Sequence, residues 1–550
     1  MSTVRAGHGR MVHSMSYYPA QTHQRSSFDR SHSVVTAFDG GMLIPIWWRY
    51  GYPGDTLTIS TKTLTRLSAQ IVPFMTNLLM DVHFWKVPIR LIWPHWLNMQ
   101  GQQDNPGDST DYLVPTITSG SEGFDFGSIF DHFDYVPGVA GYSATCLPLR
   151  AYNFVWNEWY RDENLQDRVP QETGDTDLAS NYTLLPRGKR KDYFTGQLPW
   201  PQKGEDVLLP IGTQIPVVGT GDQLHFTDVS GNTGDYGAFY GLYASYAGVN
   251  AWNDTTRPAN NTVLGISQDP DNSGLVALAN ETSATMSQLY MANAVQQILQ
   301  VDARSGTRYI ELILGRWGVR STDSRLQRPE FLGGATFDLN TSIVPQTSST
   351  DNVSPQGNLA AFSTITGKSN RIVTSFEEHC VVFAVASVRP GEYYYQQGLH
   401  RDFTKRSRFD FYEPGLANLP EQAVLRGEIY VQGDDVMDSD DPTTPSNKVI
   451  MGYQERFSED KTAYSRIHGY MRSTAPQSLD IWHLGVKYDN VPVLNDEFVV
   501  EDLDPLKRVL AVNSENQEEN NTPQFISNFY FEEYWIKEMP LFSNPSLMKF

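Results

Sequence analysis

The chain has 550 residues, 63 of them Asp or Glu against 42 Lys or Arg, for a formal net charge of -21, and it holds two cysteines. An acidic body repels phosphate unless its basic residues are gathered on one surface, so any nucleic-acid role has to rest on a local reversal of charge. Two cysteines exclude a disulfide framework, no stretch approaches the roughly 18 apolar residues that cross a bilayer, and the first residues lack the apolar run of a secretory signal; the expectation is a soluble, unexported protein of a reducing compartment such as a bacterial cytoplasm.

Hydrophobic residues make up 40% and aromatics 12%, with 42 Gly and 32 Pro spread throughout. That composition favours many short strands separated by structured loops. In residues 1–32 the ionised side chains at neutral pH are Arg5, Arg10, Arg25 and Arg30 against Asp29. With His8, His13, His23 and His32 among them, this segment reads as a basic N-terminal arm. Its arginines, beside Tyr17 and Tyr18, suit phosphate neutralisation and sequence-tolerant stacking on a nucleic acid. The competing reading is a subunit clamp that merely happens to be basic.

Leu57, Ile59 and Thr61 alternate with polar neighbours, and Met80, Val82, Phe84 and Lys86 alternate with Asp81, His83 and Trp85. Period-two patterns of this kind predict half-buried strands. LRAYNFVWNEWYRDENLQ (149–166) behaves differently: Leu149, Tyr152, Trp156 and Trp159 recur at i, i+3, i+7 and i+10, which makes one face of a helix an aromatic stripe. Tyr152, Trp156 and Trp159 are therefore expected to fill a core as a packing helix. Two further basic clusters, Arg187, Lys189, Arg190 and Lys191 and then Arg401, Lys405, Arg406 and Arg408, suit DNA contact and, equally, a solvated basic face or subunit salt bridges.

Residues 205–285 are rich in Gly, Asn, Asp, Thr and Ser yet keep Phe226, Tyr236, Phe239, Tyr240, Tyr243, Tyr246 and Trp252, more aromatics than a linker carries. They read as a folded surface projection with short β-prone runs such as 214–218. A second helix is predicted from Met286 to Val301, with Leu289, Ala292, Val295 and Ile298 or Leu299 on one face, ending before Gly306. CVVFAVASV (380–388) is apolar on both faces and predicts a central strand, whereas Phe529 and Phe531 alternate in a late one. Strand signals thus gather toward both ends, with helices and loops inserted between.

No catalytic constellation emerges. ITGKSN (365–370) contains GKS, but Phe362 stands where a phosphate-cradling loop needs glycine. EEHC (377–380) sets neighbours on opposite faces of a strand, which argues against a shared metal or a nucleophile pair. GDDVMDSDD (433–441) lacks the closing Glu of a calcium loop. Neither a cofactor nor a metal is expected, and no enzyme. From a different class, exposed aromatics and acidic loops would suit a carbohydrate-binding or carbohydrate-active β-sandwich, although no local pattern identifies the two carboxylates a glycosidase requires.

Long phrases point elsewhere. Besides the aromatic helix, they include FDRSHSVVTAFDGGMLIP (28–45), MDVHFWKVPIRLIWPHW (80–96), NPGDSTDYLVP (105–115), RGKRKDYFTGQLPWPQKG (187–204), DARSGTRYIELILGRWGVRSTDSRLQRPEFLGG (302–334), ASVRPGEYYYQQGL (386–399) and RFDFYEPGLANLPEQAVLRGEIY (408–430). In this order they closely resemble the major capsid proteins of microviruses, in particular the gokushovirus-like branch, over roughly residues 28–498. The resemblance implies a single eight-stranded jelly-roll barrel with large helical and loop insertions, here residues 33–550, whose 205–285 insertion protrudes from the capsid exterior and could meet a host surface receptor. It implies self-assembly as the activity: sixty copies closing a T=1 icosahedral shell around a circular single-stranded DNA genome. It also implies a separate small basic DNA-binding virion protein, since an acidic capsid chain condenses DNA poorly.

Overall fold

The computed structural model describes residues 24–205, 286–345, 359–439, 441–511 and 523–542, together with isolated residues and short strands between them. The chain divides into two compact units, Met1–Pro201 with Ala303–Phe550, and Gln202–Asp302.

The larger unit is mainly β and is built on one curled antiparallel sheet of ten strands. In chain order these are β1 (Ser26–Asp29), β2 (His32–Phe38), β3 (Ile44–Gly51), β4 (Thr56–Leu67), β5 (Leu78–Pro88), β6 (Glu330–Pro345), β7 (Leu359–Lys368), β8 (Ile372–Ser375), β9 (Cys380–Pro390) and β10 (Phe525–Lys537). Both β1 and β2 pair with β10, which pairs with β4; β4 then meets β7 and β8. Across β6 the order continues through β5 and β9 to β3. The sheet therefore begins inside the segment read as an arm.

One strand makes the sheet turn back on itself. Residues Glu330 to Asp338 of β6 lie in register with Lys86 to Leu79 of β5, whereas Leu339 to Pro345 pair with Ile365 to Leu359 of β7. The two ends of the sheet consequently share a core. Leu57, Ile59, Phe525, Phe529, Phe531 and Trp535 from one end pack with Ile46, Met80, Val82, Phe84, Val382 and Ala384 from the other. Close packing also explains the glycine of GKS: a Cβ on Gly367 would lie 2.2 Å from the Phe337 ring, so the residue serves the core and not a phosphate.

The residues that alternate with these in β5 and β9 enter a second core. Trp85, Val87, Val381, Phe383 and Val385 pack against helix α1 (Leu147–Val155) and its neighbours, including Leu149, Tyr152 and Trp156. This is where the expectation of half-buried strands needs correcting for β5: Asp81 and Trp85, read as its wet face, are buried. Helix α1 starts with Pro148 in its first turn, is buried on every side and passes into a π-helical turn, Trp156–Tyr160.

In the smaller unit, Val217–Gly219 pairs with Leu275–Ala277 and Phe226–Thr227 pairs with Gly265–Ile266, two nested antiparallel ladders. Otherwise the expected projection lies largely outside the described residues. Helix α2 (Met286–Ser305) ends just before Gly306, as its pattern predicts, but Leu289, Val295 and Ile298 on the expected apolar face are exposed.

Candidate functional site

Of the four arm arginines, Arg5 and Arg10 lie outside the described residues. Arg25 and Arg30 flank β1, so hydrogen bonding to β10 fixes their backbone. The Arg25 guanidinium sits 3.7 Å from the Glu538 carboxylate and donates to the Gly54 carbonyl. Arg30 joins His32 and Arg49 around Glu533, at 3.9, 3.4 and 3.6 Å. The Glu533 side chain is fully buried and accepts from the indole nitrogens of Trp47 at 3.0 Å and Trp535 at 2.5 Å. A buried carboxylate needs such donors, and this one ties the first strands to β3 and β10. Both arginines stay nearly half exposed.

The aromatic stripe anchors several loops. The Tyr152 hydroxyl donates to the Leu43 carbonyl at 2.8 Å and accepts from the Leu185 amide at 2.9 Å, and burial pushes its pKa up. Trp156 donates to the Pro186 carbonyl, and Trp159 to that of Pro329, while the Arg328 guanidinium lies 4.0 Å from the Trp159 ring. Periodicity could not reveal the other face of α1. There Arg150 and Asp177 form a 2.9 Å ion pair with both side chains fully buried, and Arg150 also donates to the carbonyls of Ile92 and Gly174.

In the Arg187 to Lys191 cluster, Arg187, Lys189 and Arg190 are half-buried while Lys191 is exposed. Asp81 of β5 accepts from Thr336 at 2.6 Å and faces Arg389 at 3.0 Å and Arg190 at 3.2 Å. Burial works against its charge, yet the Thr336 hydrogen bond and the two guanidinium groups outweigh that and hold the carboxyl below its ordinary range. Next to it, burial and the positive charge of Arg187 push His83 down to about 4, leaving a neutral ring at physiological pH. His83 Nδ1 shares a 2.8 Å hydrogen bond with the Tyr160 hydroxyl, which also accepts from Trp85 Nε1 at 3.0 Å. Lys191 pairs with Asp162 at 2.7 Å.

Three cations of the second cluster form ion pairs, Arg401 with Glu428, Lys405 with Asp402 and Asp460, and Arg408 with Glu413, while Arg406 is exposed and donates its backbone amide to Asp410. In EEHC, Glu378 binds Arg90, His379 packs on Trp96, and Cys380 is buried, its thiol pushed up to about 12 by burial. In the acidic loop, Asp438 is held by Arg426, and Asp441 accepts from Thr443 and Thr444. These side chains serve structure.

The chain is 40% identical to the capsid protein VP1 of Bdellovibrio phage phiMH2K over 97% of both chains. It is 36% identical to VP1 of Chlamydia phage 1 and 35% identical to VP1 of Spiroplasma virus 4, each over 98% of both chains. The family model for the capsid protein (F protein) matches residues 16–547. Together these matches show that the chain belongs to the capsid protein (F protein) family, a family of structural proteins and not of enzymes, as a microvirus major capsid protein.

Proposed function

We propose that sixty copies of this chain assemble into a T=1 icosahedral shell enclosing a circular single-stranded DNA phage genome, in the cytoplasm of a bacterial host. The observation that carries this reading is similarity over nearly the full length to three capsid proteins, which leaves little of the chain for any other activity. The sheet order supports an eight-stranded jelly roll beneath it: β2, β10, β4 and β7 as one four-stranded half, with the short β8 following β7 along β4, and β3, β9, β5 and β6 as the other. Expression of the full chain, with sedimentation and negative-stain microscopy, tests it. Closed particles of sixty copies are the expected result; small soluble species alone would overturn it.

Three finer roles belong to the same reading. Residues 205–285 form an exterior projection that meets a host receptor, supported by the nested antiparallel ladders near its ends. A small basic virion protein condenses the DNA, because sixty chains of charge -21 cannot. The arm contacts phosphates through Arg5, Arg10, Arg25 and Arg30, and the ion pairs of Arg25 and Arg30 split its test into two. Neutralising Arg5 and Arg10 to Gln leaves shells that package poorly, whereas the same change at Arg25 and Arg30 chiefly lowers the melting temperature. Normal packaging by the first variant would leave the arm as a structural clamp.

A further inference from the structure

Where α1 passes into its π-helical turn, a cavity of about 520 Å³ opens whose wall reverses the charge of the chain. Six cations, Arg161, Arg187, Lys189, Lys191, Arg308 and Arg389, line it against two carboxylates, Asp162 and Glu163. Both carboxylates are already taken, Asp162 by Lys191 and Glu163 by Arg308. Arg389 is satisfied by Asp81. That leaves Arg161, Arg187 and Lys189 with no carboxylate partner among the described residues. Arg161 donates to the Gln166 carbonyl and Lys189 to that of Phe498, while Arg187 lies over the Tyr160 ring at 4.4 Å.

Two of these cations keep a donor in reserve: the Nε atoms of Arg161 and Arg187 are buried and have no hydrogen-bond acceptor. Open Nε atoms recur elsewhere in the fold, at Arg49 and Arg508 among others, so what marks this place is that two of them share one cavity wall with Lys189. The backbone holds the group in position. Arg187 N donates to the Gly41 carbonyl at 2.7 Å, Lys189 N to Val499 at 2.8 Å, and Glu501 N to Arg187 at 2.8 Å. The geometry points to a binding site for a phosphate group in this cavity, with Arg187 and Lys189 as its principal contacts and Arg161 at its rim. A tetrahedral oxyanion offers acceptors in several directions at once, which suits guanidinium and ammonium donors converging from different strands. Burial, with Arg389 and Arg190 close by, also pushes Arg187 down to about 10, a strain that a bound anion would relieve.

The group has two sources, a free phosphate or the phosphodiester backbone of the packaged strand, and the second rests on the capsid function proposed above. In either case the site reads no base. Tyr160 is stacked on His83 with Arg187 on it, and Trp159 is covered by Trp85 and Arg328, so neither ring is free for stacking.

Calorimetric titration of the purified full-length chain with inorganic phosphate, and separately with a thymidine octadeoxynucleotide, tests the site. Arg187→Gln and Lys189→Gln are the variants; Arg408→Gln, at an exposed arginine paired with Glu413, is the control, and circular dichroism checks the fold. Losing one charged donor weakens phosphate binding about tenfold or more in the first two and leaves the control unchanged. If oligonucleotide binding falls in parallel, the packaged strand is the source; if the oligonucleotide ignores Arg187→Gln while phosphate does not, the source is free phosphate. Absence of phosphate binding by the unmodified chain overturns the site whether or not a variant folds, as does equal binding by a folded Arg187→Gln protein. Particle formation is unaffected by either result, so the capsid function stands or falls separately.

Discussion

Strands β9 and β10 both carry long apolar runs, yet they are buried in different ways. In β10, Phe529, Phe531 and Trp535 are fully buried while Ile526, Tyr530 and Tyr534 between them are 50%, 38% and 41% exposed. In β9, Val381, Val382, Phe383 and Ala384 are all buried, because one set faces the core shared by the two ends of the sheet and the other faces α1. The same sheet is thus single-sided at one end and double-sided at the other. What differs is the stretch that follows β5, residues 89–185, whose apolar side chains pack on the second end.

The largest effects should come from the covered end. Removing Arg150 strands Asp177 as a buried, unpaired charge, so Arg150→Ala is expected to cost about 3–5 kcal/mol by urea denaturation, with part recovered in the double variant Arg150→Ala, Asp177→Ala. A cost below about 1 kcal/mol would mean that the pair is hydrated. Phe383→Ala should cost about 3–5 kcal/mol and its neighbour Val382→Ala about 2 kcal/mol, since both faces of β9 are packed. On β10 only every second residue should behave this way.

These two ends were not equally legible in the sequence. Alternation at Leu57 and Ile59 and at Phe529 and Phe531 was visible, because one wet face leaves a period-two signature, and the unbroken run from Cys380 was visible for the opposite reason. The polar face of β5 misled: Asp81 and His83 look like solvent-facing residues until Arg190, Thr336 and Arg389 close over Asp81 from positions 109, 255 and 308 residues away. No local pattern encodes contacts of that separation. The same blindness hid the inward contacts of Arg190 with Asp81, and on the face of α1 opposite the aromatic stripe it hid the Arg150 and Asp177 pair.

Intermediate effects should appear as pH dependence at the covered end. His83 is held at about 4 instead of 6.5, so the unfolded chain binds more protons there, and the stabilisation from its neutral form is complete above 6.5 and lost as pH falls through 4. Glu501 is pushed by burial from 4.5 up to about 7; its contribution has the opposite sign, present below 4.5 and lost as pH rises through 7. Each amounts to roughly 3 kcal/mol, and across the shared window they oppose one another. Relative to the unmodified chain, Glu501→Gln should gain stability as pH rises from 5 to 7, and His83→Gln should gain it as pH falls from 6 to 4. Parallel denaturation curves for all three proteins across that range would show that neither group titrates differently on folding.

The smallest effect belongs to the open end, where the comparison is sharpest within a single dipeptide. Trp535 is fully buried, stacks on Phe376 and donates to Glu533, while Tyr534 beside it points outward. Trp535→Ala should cost about 3–5 kcal/mol. Tyr534→Thr keeps a residue that suits a strand and removes a ring that packs on nothing in the core, so the free chain should change by no more than about 0.5 kcal/mol. Thermal unfolding of the unassembled protein measures both. A loss of more than about 2 kcal/mol at Tyr534 would mean that the outward face of β10 is covered within a single chain, and the contrast with β9 would vanish. With stability unchanged, any loss of particles in the same variant would have to arise between copies or between shell and contents.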